Sequence, residues 1–444
     1  MALRRARRLA AGLLLLTLIA VGLVPSVAGH EVPNDVLIQA YLKPESQRLR
    51  LVVRVPLIAL RDMTWPFKAP DILDTSRAGT ELHNAATLWL GDEATIYDNG
   101  TALPSPQVVA LRATLPTDRS FDSWDQALAL ITGPAPTDAD QISIKEGFLD
   151  VLFEYPIASA DTRLSMQSRW GRLGVQALTR LSLLLSDGGQ RVFELHGNPG
   201  LVHLDPTPAQ VAGRFARAGF NHLTSGADYL LLLVCLVLPF RRGADVLFIA
   251  IAAAAASTLT LVASAAGMTP QALWYPAFIA TLTAGAVVYL AAENVAGSRA
   301  DRRARLACAL ALVLGIACSF ALADERQFAG AHPLVAIGAF DAGLLLGQWL
   351  TIAVAVGVSA LLFRVVVAER IGVIVVSALA AHAAWHWLTQ RWSLLAQYQV
   401  AAPELTAGVL AATLRWAMIA VAAAGLAWAI GLARSAVSER ATGR

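Results

Sequence analysis

Gly219-Phe-Asn-His-Leu-Thr-Ser-Gly-Ala-Asp-Tyr229 runs into the apolar stretch Leu230–Leu238 and stops at Pro239-Phe-Arg-Arg242. An apolar run closed by proline and arginine reads as a membrane-spanning helix, expected over 218–239. That places His222 and Asp228 at the mouth of the first span. Ionisable groups are costly at such depth, so they either cap the helix or belong to a site. Ser225-Gly-Ala-Asp228 has the spacing of a capping box, which keeps both readings of Asp228 open.

Working outward, further apolar segments fall at 246–266, 277–296, 306–322, 334–361, 371–388 and 405–432, about seven spans in all. The 444 residues are 56% hydrophobic and 15% charged, too apolar for an ordinary soluble chain. The loops between spans are unequal in charge. Arg241, Arg242, Arg299, Arg302, Arg303, Arg305, Arg364 and Arg370, with Arg434, Arg440 and Arg444 at and in the tail 436–444, lie on one side, and only Arg326 and Arg391 on the other. The positive-inside rule makes the rich side cytoplasmic.

The other end of the chain agrees with that topology. Arg4, Arg5, Arg7 and Arg8 precede the apolar run Leu9–Val24 and Ser26-Val-Ala28, so residues 1–29 read as a signal peptide. Residues 30–212 then form an exported β-rich domain, expected as an antiparallel sandwich-like fold ahead of the all-α bundle. Its strand signals are Val36–Leu42 with Leu49–Val55, Thr87–Leu90, Ala94–Tyr97 before the turn Asp98-Asn-Gly100, Val108–Ala113, Phe148–Tyr155, and Leu181–Leu185 with Arg191–His196. Helical pieces are expected near 61–85 and 124–131. Cys235, Cys308 and Cys318 all fall in expected spans, so the exported domain carries no disulfide framework. A net charge of +3 without a basic face gives no sign of a nucleic-acid partner. The partner the composition requires is the lipid bilayer.

The polar residues of the spans gather toward the outer side in this topology. His222 and His332 precede spans one and five, and His382 and His386 stand four apart on one face of span six. Asp228 lies in span one, and Asp341 and Gln348 share a face of span five. Imidazole and carboxylate suit zinc, nickel or cobalt, and the same set also serves a proton relay. The bland alternatives are solvated histidines at an interface, and an aromatic belt for Trp385 and Trp387. Glu293-Asn294 reads as an ordinary surface pair at a helix end. No Ser-His-Asp set, phosphate loop or His-Glu-x-x-His motif occurs, so an enzyme is not expected.

Gly219-Phe-x-His222-x5-Asp228, Tyr289-Leu-Ala-Ala-Glu-Asn294, Phe340-Asp-x-Gly343-x3-Gly-Gln348 and Ala381-His-x-x-Trp-His386 together resemble the HupE/UreJ family, in its long branch with a signal peptide and an exported β domain. His30-Glu-Val and Leu51–Pro56 extend the resemblance over nearly the whole mature chain. It implies nickel or cobalt uptake at a bacterial inner membrane, with no cofactor beyond a bound nickel, cobalt or zinc ion. The carried-over metal set is His222, Asp228, Asp341, His382 and His386, with His332 nearby. The chain departs from the family pattern at Tyr229, Ser257, Ala280, Leu314-Gly315 and Leu345, where polar ligands are usual. Two expectations follow: a divalent-metal permease or metal-handling accessory, or a non-transporting protein whose exported domain binds a partner. Trp65, Trp89, Trp124 and Trp170 are the aromatic groups available to the second.

Overall fold

In the computed structural model the described residues are 35–398, except 135, 137–139, 241, 271, 298 and 299, together with 411, 414 and 418. The expected signal peptide and cytoplasmic tail lie outside them, as does the seventh span apart from those last three positions. The chain is β-rich at first and helical afterwards. It divides into one unit of Met1–Val211 with Glu325–Ala336, and another of Ala212–Asp324 with Ile337–Arg444.

In the first unit, β1 (Asp35–Glu45) and β2 (Arg48–Pro56) form the expected hairpin. Val36, Ile38, Ala40 and Leu42 are buried with period two, as one core-facing side of a strand requires. β3 (Phe67–Ala69) and β4 (Ile72–Leu73) make a small separate ladder, followed by the helix α1 (Gly79–Ala85). β5 (Ala94–Asp98) and β6 (Thr101–Ala102) are joined through Asn99 and Gly100, both with positive φ (48° and 86°), which the Asn-Gly signal demands. β7 (Gln107–Thr114) precedes α2 (Trp124–Ile131), whose first turn is capped when the Gln126 amide donates to Ser123 Oγ. β8 (Phe148–Pro156), β9 (Leu164–Ser168), β10 (Gln176–Leu184), β11 (Gln190–His196) and β12 (Leu201–His203) complete the region.

The main sheet runs β11-β10-β1-β2-β8-β7 and a second β12-β9-β5-β6. Two expectations change here. β1 and β10 pair in parallel, so the large sheet is mixed and not purely antiparallel. Thr87–Leu90, expected as a strand, lies within the π-helical turn Ala86–Gly91, because a short apolar run fits a buried helical turn as well as a strand. Arg54 crosses the main sheet as a buried cation: Nε and Nη2 donate to the two Asp150 oxygens at 2.7 and 2.6 Å, and Nη2 donates to Asp118 Oδ1 at 2.9 Å. Its plane stacks 4.2 Å from the Phe121 ring.

The second unit is helical. α3 (Pro208–Ser225) and α4 (Ala227–Val237) meet at Gly226 with a 71° bend. α5 (Gly243–Ala265), α6 (Tyr275–Ala296), α7 (Ala300–Glu325), α8 (Pro333–Val365) and α9 (Glu369–Leu395) follow. Among the described residues five helices are long and apolar enough to cross a membrane, or six if the bent pair counts as one span. The first span is therefore broken, not the continuous helix expected over 218–239. Two glycine contacts set the packing. A side chain at Gly343 or Gly219 would collide with the backbone of the other helix, at Ala216 and Phe340, so α3 and α8 cross in backbone contact. Gly315 of α7 lies against the Ser257 carbonyl of α5 in the same way.

Candidate functional site

The break between α3 and α4 organises the polar residues of the helical unit. Ser225 Oγ turns back to donate to the Asn221 carbonyl at 2.5 Å, and the α4 start has no side-chain cap. The capping box expected from Ser225 and Asp228 does not form. Instead Asp228 Oδ1 accepts the Tyr229 N–H at 3.0 Å, and Oδ2 accepts from Arg391 Nη2 at 2.8 Å. Arg391 Nη1 donates to the Ala280 carbonyl at 3.0 Å. One guanidinium thus ties α9 to α4 and α6.

His222 lies in the last turn of α3, its ring centroid 5.2 Å from that of Tyr229 and 6.5 Å from that of Phe340, tilted against both. Its Nε2 is buried with no hydrogen-bond partner. Buried polar atoms are rarely left so, and an imidazole nitrogen in that condition is a donor available to a ligand. Asp341 on α8 is held by α5: the Thr258 hydroxyl lies 3.0 and 2.9 Å from its two oxygens. Two turns further along, Gln348 is 1% exposed and neither end of its amide has a partner.

The remaining residues of the expected set stand elsewhere. α9 presents Val373, Ser377, Ala380 and Ala384 inward, a small-residue stripe that lets it lie close to α6. His382 and His386 are on another face, exposed, their rings 4.7 Å apart and perpendicular. His332 belongs to the segment 325–336 that groups with the sheets, where its amide donates to the Ala329 carbonyl. Among the described residues, no group of three or more His, Cys, Asp or Glu side chains comes close enough to hold a metal ion. The structure brings His222 close to the Asp228 turn through Tyr229, and Asp341 to Thr258, but assembles no closed ligand cage.

The family departures acquire places as well. Ser257 is fully buried beneath Gly315, and Ala280 offers its carbonyl to Arg391. A groove of about 670 Å³ between α6, α7 and α9, lined by Leu282, Tyr289, Leu310, Trp385 and Trp392, is apolar and gathers none of these polar groups.

Two features were missed in the sequence. Arg391 counted only as a charge on the sparse side of the topology, whereas it is the partner of Asp228. Glu293 and Asn294 are buried at 7% and 1% exposure, against a surface expectation. Arg303 reaches Glu293 and Asn294, and Asn294 Nδ2 donates to the Cys235 carbonyl at 3.0 Å, joining α7, α6 and α4. The available signal was the carboxylate–amide pair followed, after one short loop, by several arginines.

Residues 201–391 match the family model described as HupE / UreJ protein, a match that begins at β12 and takes in α3 to α8 and most of α9. A comparison with curated proteins gives no match. The apolar helices and the family match make this a multi-pass membrane protein. The match over residues 201–391, most of the helical part, supports membership of the HupE/UreJ family.

Proposed function

We propose that this protein handles a divalent transition-metal ion, nickel or cobalt first, as a permease or as an accessory that receives the ion at the membrane. His222 carries the reading: Nε2 is buried and unpartnered beside the turn that holds Asp228. Imidazole with carboxylate is a donor set suited to nickel, cobalt and zinc. Asp341, His332, His382 and His386 would then serve as separate stations for the ion. The ion is cargo here, with no resident cofactor and no enzymatic step.

The arginines that follow α4, α6 and α8 put those ends on the cytoplasmic side by the positive-inside rule. The same rule and the signal-like residues 1–29 place the β-rich region 30–212 outside a bacterial inner membrane, with the tail 436–444 inside.

Metal content and equilibrium binding of nickel and cobalt, measured on the detergent-solubilised full chain, test this reading. Saturable binding that His222→Ala abolishes is the expected result. Folded protein that binds no metal, or binds equally well without His222, overturns it.

A second reading, recognition of a protein partner by the exported domain, rests on one observation. Leu88 is 58% exposed, and the adjoining Trp89 ring has Arg172 and Arg61 at 5.3 and 5.9 Å. Trp124 and Trp170 do not contribute, since both are core residues. Leu88→Glu would abolish partner capture on this reading and leave metal binding unchanged.

A further inference from the structure

Asp228 already holds a cation, and that cation belongs to the protein. Its carboxylate is largely buried and both oxygens are engaged, Oδ1 by the Tyr229 amide and Oδ2 by Arg391. The same guanidinium takes the Ala280 carbonyl, so it bridges two oxygens from two helices. Carboxylate and carbonyl oxygens converging on one positive group are what a small metal cation would also seek. Meanwhile the His222 nitrogen near the same turn is idle.

The geometry points to Arg391 as a tethered competing cation: it occupies the Asp228 oxygen in the absence of metal, and a divalent ion binds there only by displacing it. This rests on the metal reading above and assigns its regulation to one residue. Like charges repel strongly away from water, so a divalent ion at the largely buried Asp228 Oδ2 is disfavoured while the guanidinium stays on that oxygen. The exchange also has a structural consequence. Arg391 hydrogen-bonds the end of α9 to α4 and α6, so its release removes those two ties. Ion binding would thereby be converted into helix movement, with metal and guanidinium as alternative ligands of the same acid.

The test is nickel binding to the full chain in detergent, comparing wild type, Arg391→Gln, Arg391→Lys, and Arg391→Gln combined with Asp228→Asn. Arg391→Gln should bind more tightly by roughly tenfold or more, the ordinary size of coupling between two ligands. Arg391→Lys keeps the charge and should stay near wild type, and the added Asp228→Asn should remove the gain. A wild-type measurement guards against a misfolded variant: modification of Arg391 by an arginine-selective dicarbonyl, read by mass spectrometry, should rise when nickel is added. Equal nickel affinity in wild type and folded Arg391→Gln, or weaker binding in the variant, overturns the competing role while leaving the metal reading intact. Unchanged labelling on addition of bound nickel overturns it as well. No binding to any folded variant overturns both.

Discussion

Arg303 Nη1 lies 3.0 Å from Glu293 Oε2, with the guanidinium fully buried and the carboxylate nearly so. The pair joins the last turn of α6 to the first turn of α7, and the Phe240 ring stands 5.9 Å from the Arg303 carbon. Breaking a buried pair by removing one partner leaves an uncompensated charge. Arg303→Met should therefore destabilise by roughly 3–5 kcal/mol. Adding Glu293→Gln should restore much of that loss, because the stranded charge is gone. Thermal melting of the detergent-solubilised variants checks it, and a double variant as unstable as Arg303→Met alone would show the pair is not the cause.

That pair also marks how far the sequence could be read. Local patterns were legible: the β1–β2 hairpin follows from alternation of apolar residues, and the β5–β6 turn from Asn99-Gly100. Pairings distant in sequence were not. Nothing local to β1 and β10 encodes their parallel ladder, and nothing local to Asp228 names Arg391. The spans themselves were visible as apolar runs, but their orientation about their own axes was hidden. α9 is apolar on most sides, so its pattern cannot tell that Ala380 and Ala384 face inward while His382 and His386 do not. The bend at Gly226 escaped for a related reason, since hydropathy averages across a break that one extended residue creates.

Glycines of α8 should separate by position. A methyl group at Gly343 meets the Ala216 backbone, whereas at Gly338 nothing lies within 4 Å. Gly343→Ala must push α3 and α8 apart and should cost roughly 1–3 kcal/mol. Gly338→Ala should be neutral or slightly stabilising, since alanine is the better helix former. Melting temperatures of the two variants in the same detergent decide the matter, and equal losses would refute a close crossing.

Asp118 gives the β-rich region an acid-sensitive contact. Burial alone would raise its pKa, but hydrogen bonds from Ser120 and Arg54 outweigh that and hold it below the usual carboxylate range. With the folded value below the unfolded one, the contribution is complete above the unfolded value and is lost as pH falls through the folded one. Asp118→Asn should thus cost about 1–2 kcal/mol at neutral pH, the lower part of the range for a hydrogen bond to a charged group because Asp118 is partly exposed. The difference from wild type should shrink as pH falls past about 3.9, where half of such aspartates are protonated in the unfolded chain. Tryptophan-detected unfolding of the full chain across that range measures it. A difference independent of pH would assign the loss to packing.

Gln327 substitutes for a missing strand at the edge of the main sheet. The Glu194 N–H of β11 donates to Gln327 Oε1 at 2.5 Å, and Gln327 Nε2 donates to the Glu194 carbonyl at 3.0 Å. β11 ends its sheet, so its outward backbone groups would otherwise be open to another chain. Phe328, packed 6.2 Å from Phe193, seats the turn that presents the amide. Gln327→Ala should speed hydrogen exchange at the Glu194 amide by roughly fivefold, given about 1 kcal/mol for such a hydrogen bond. The Phe193 and Leu195 amides, which face β10, should keep their protection. Gln327→Glu should deprotect Glu194 more strongly, because a carboxylate keeps the acceptor but sets a negative oxygen against the Glu194 carbonyl. Equal acceleration along the whole strand would mean that the substitution loosens the sheet, and that Gln327 is a packing residue and not an edge cap.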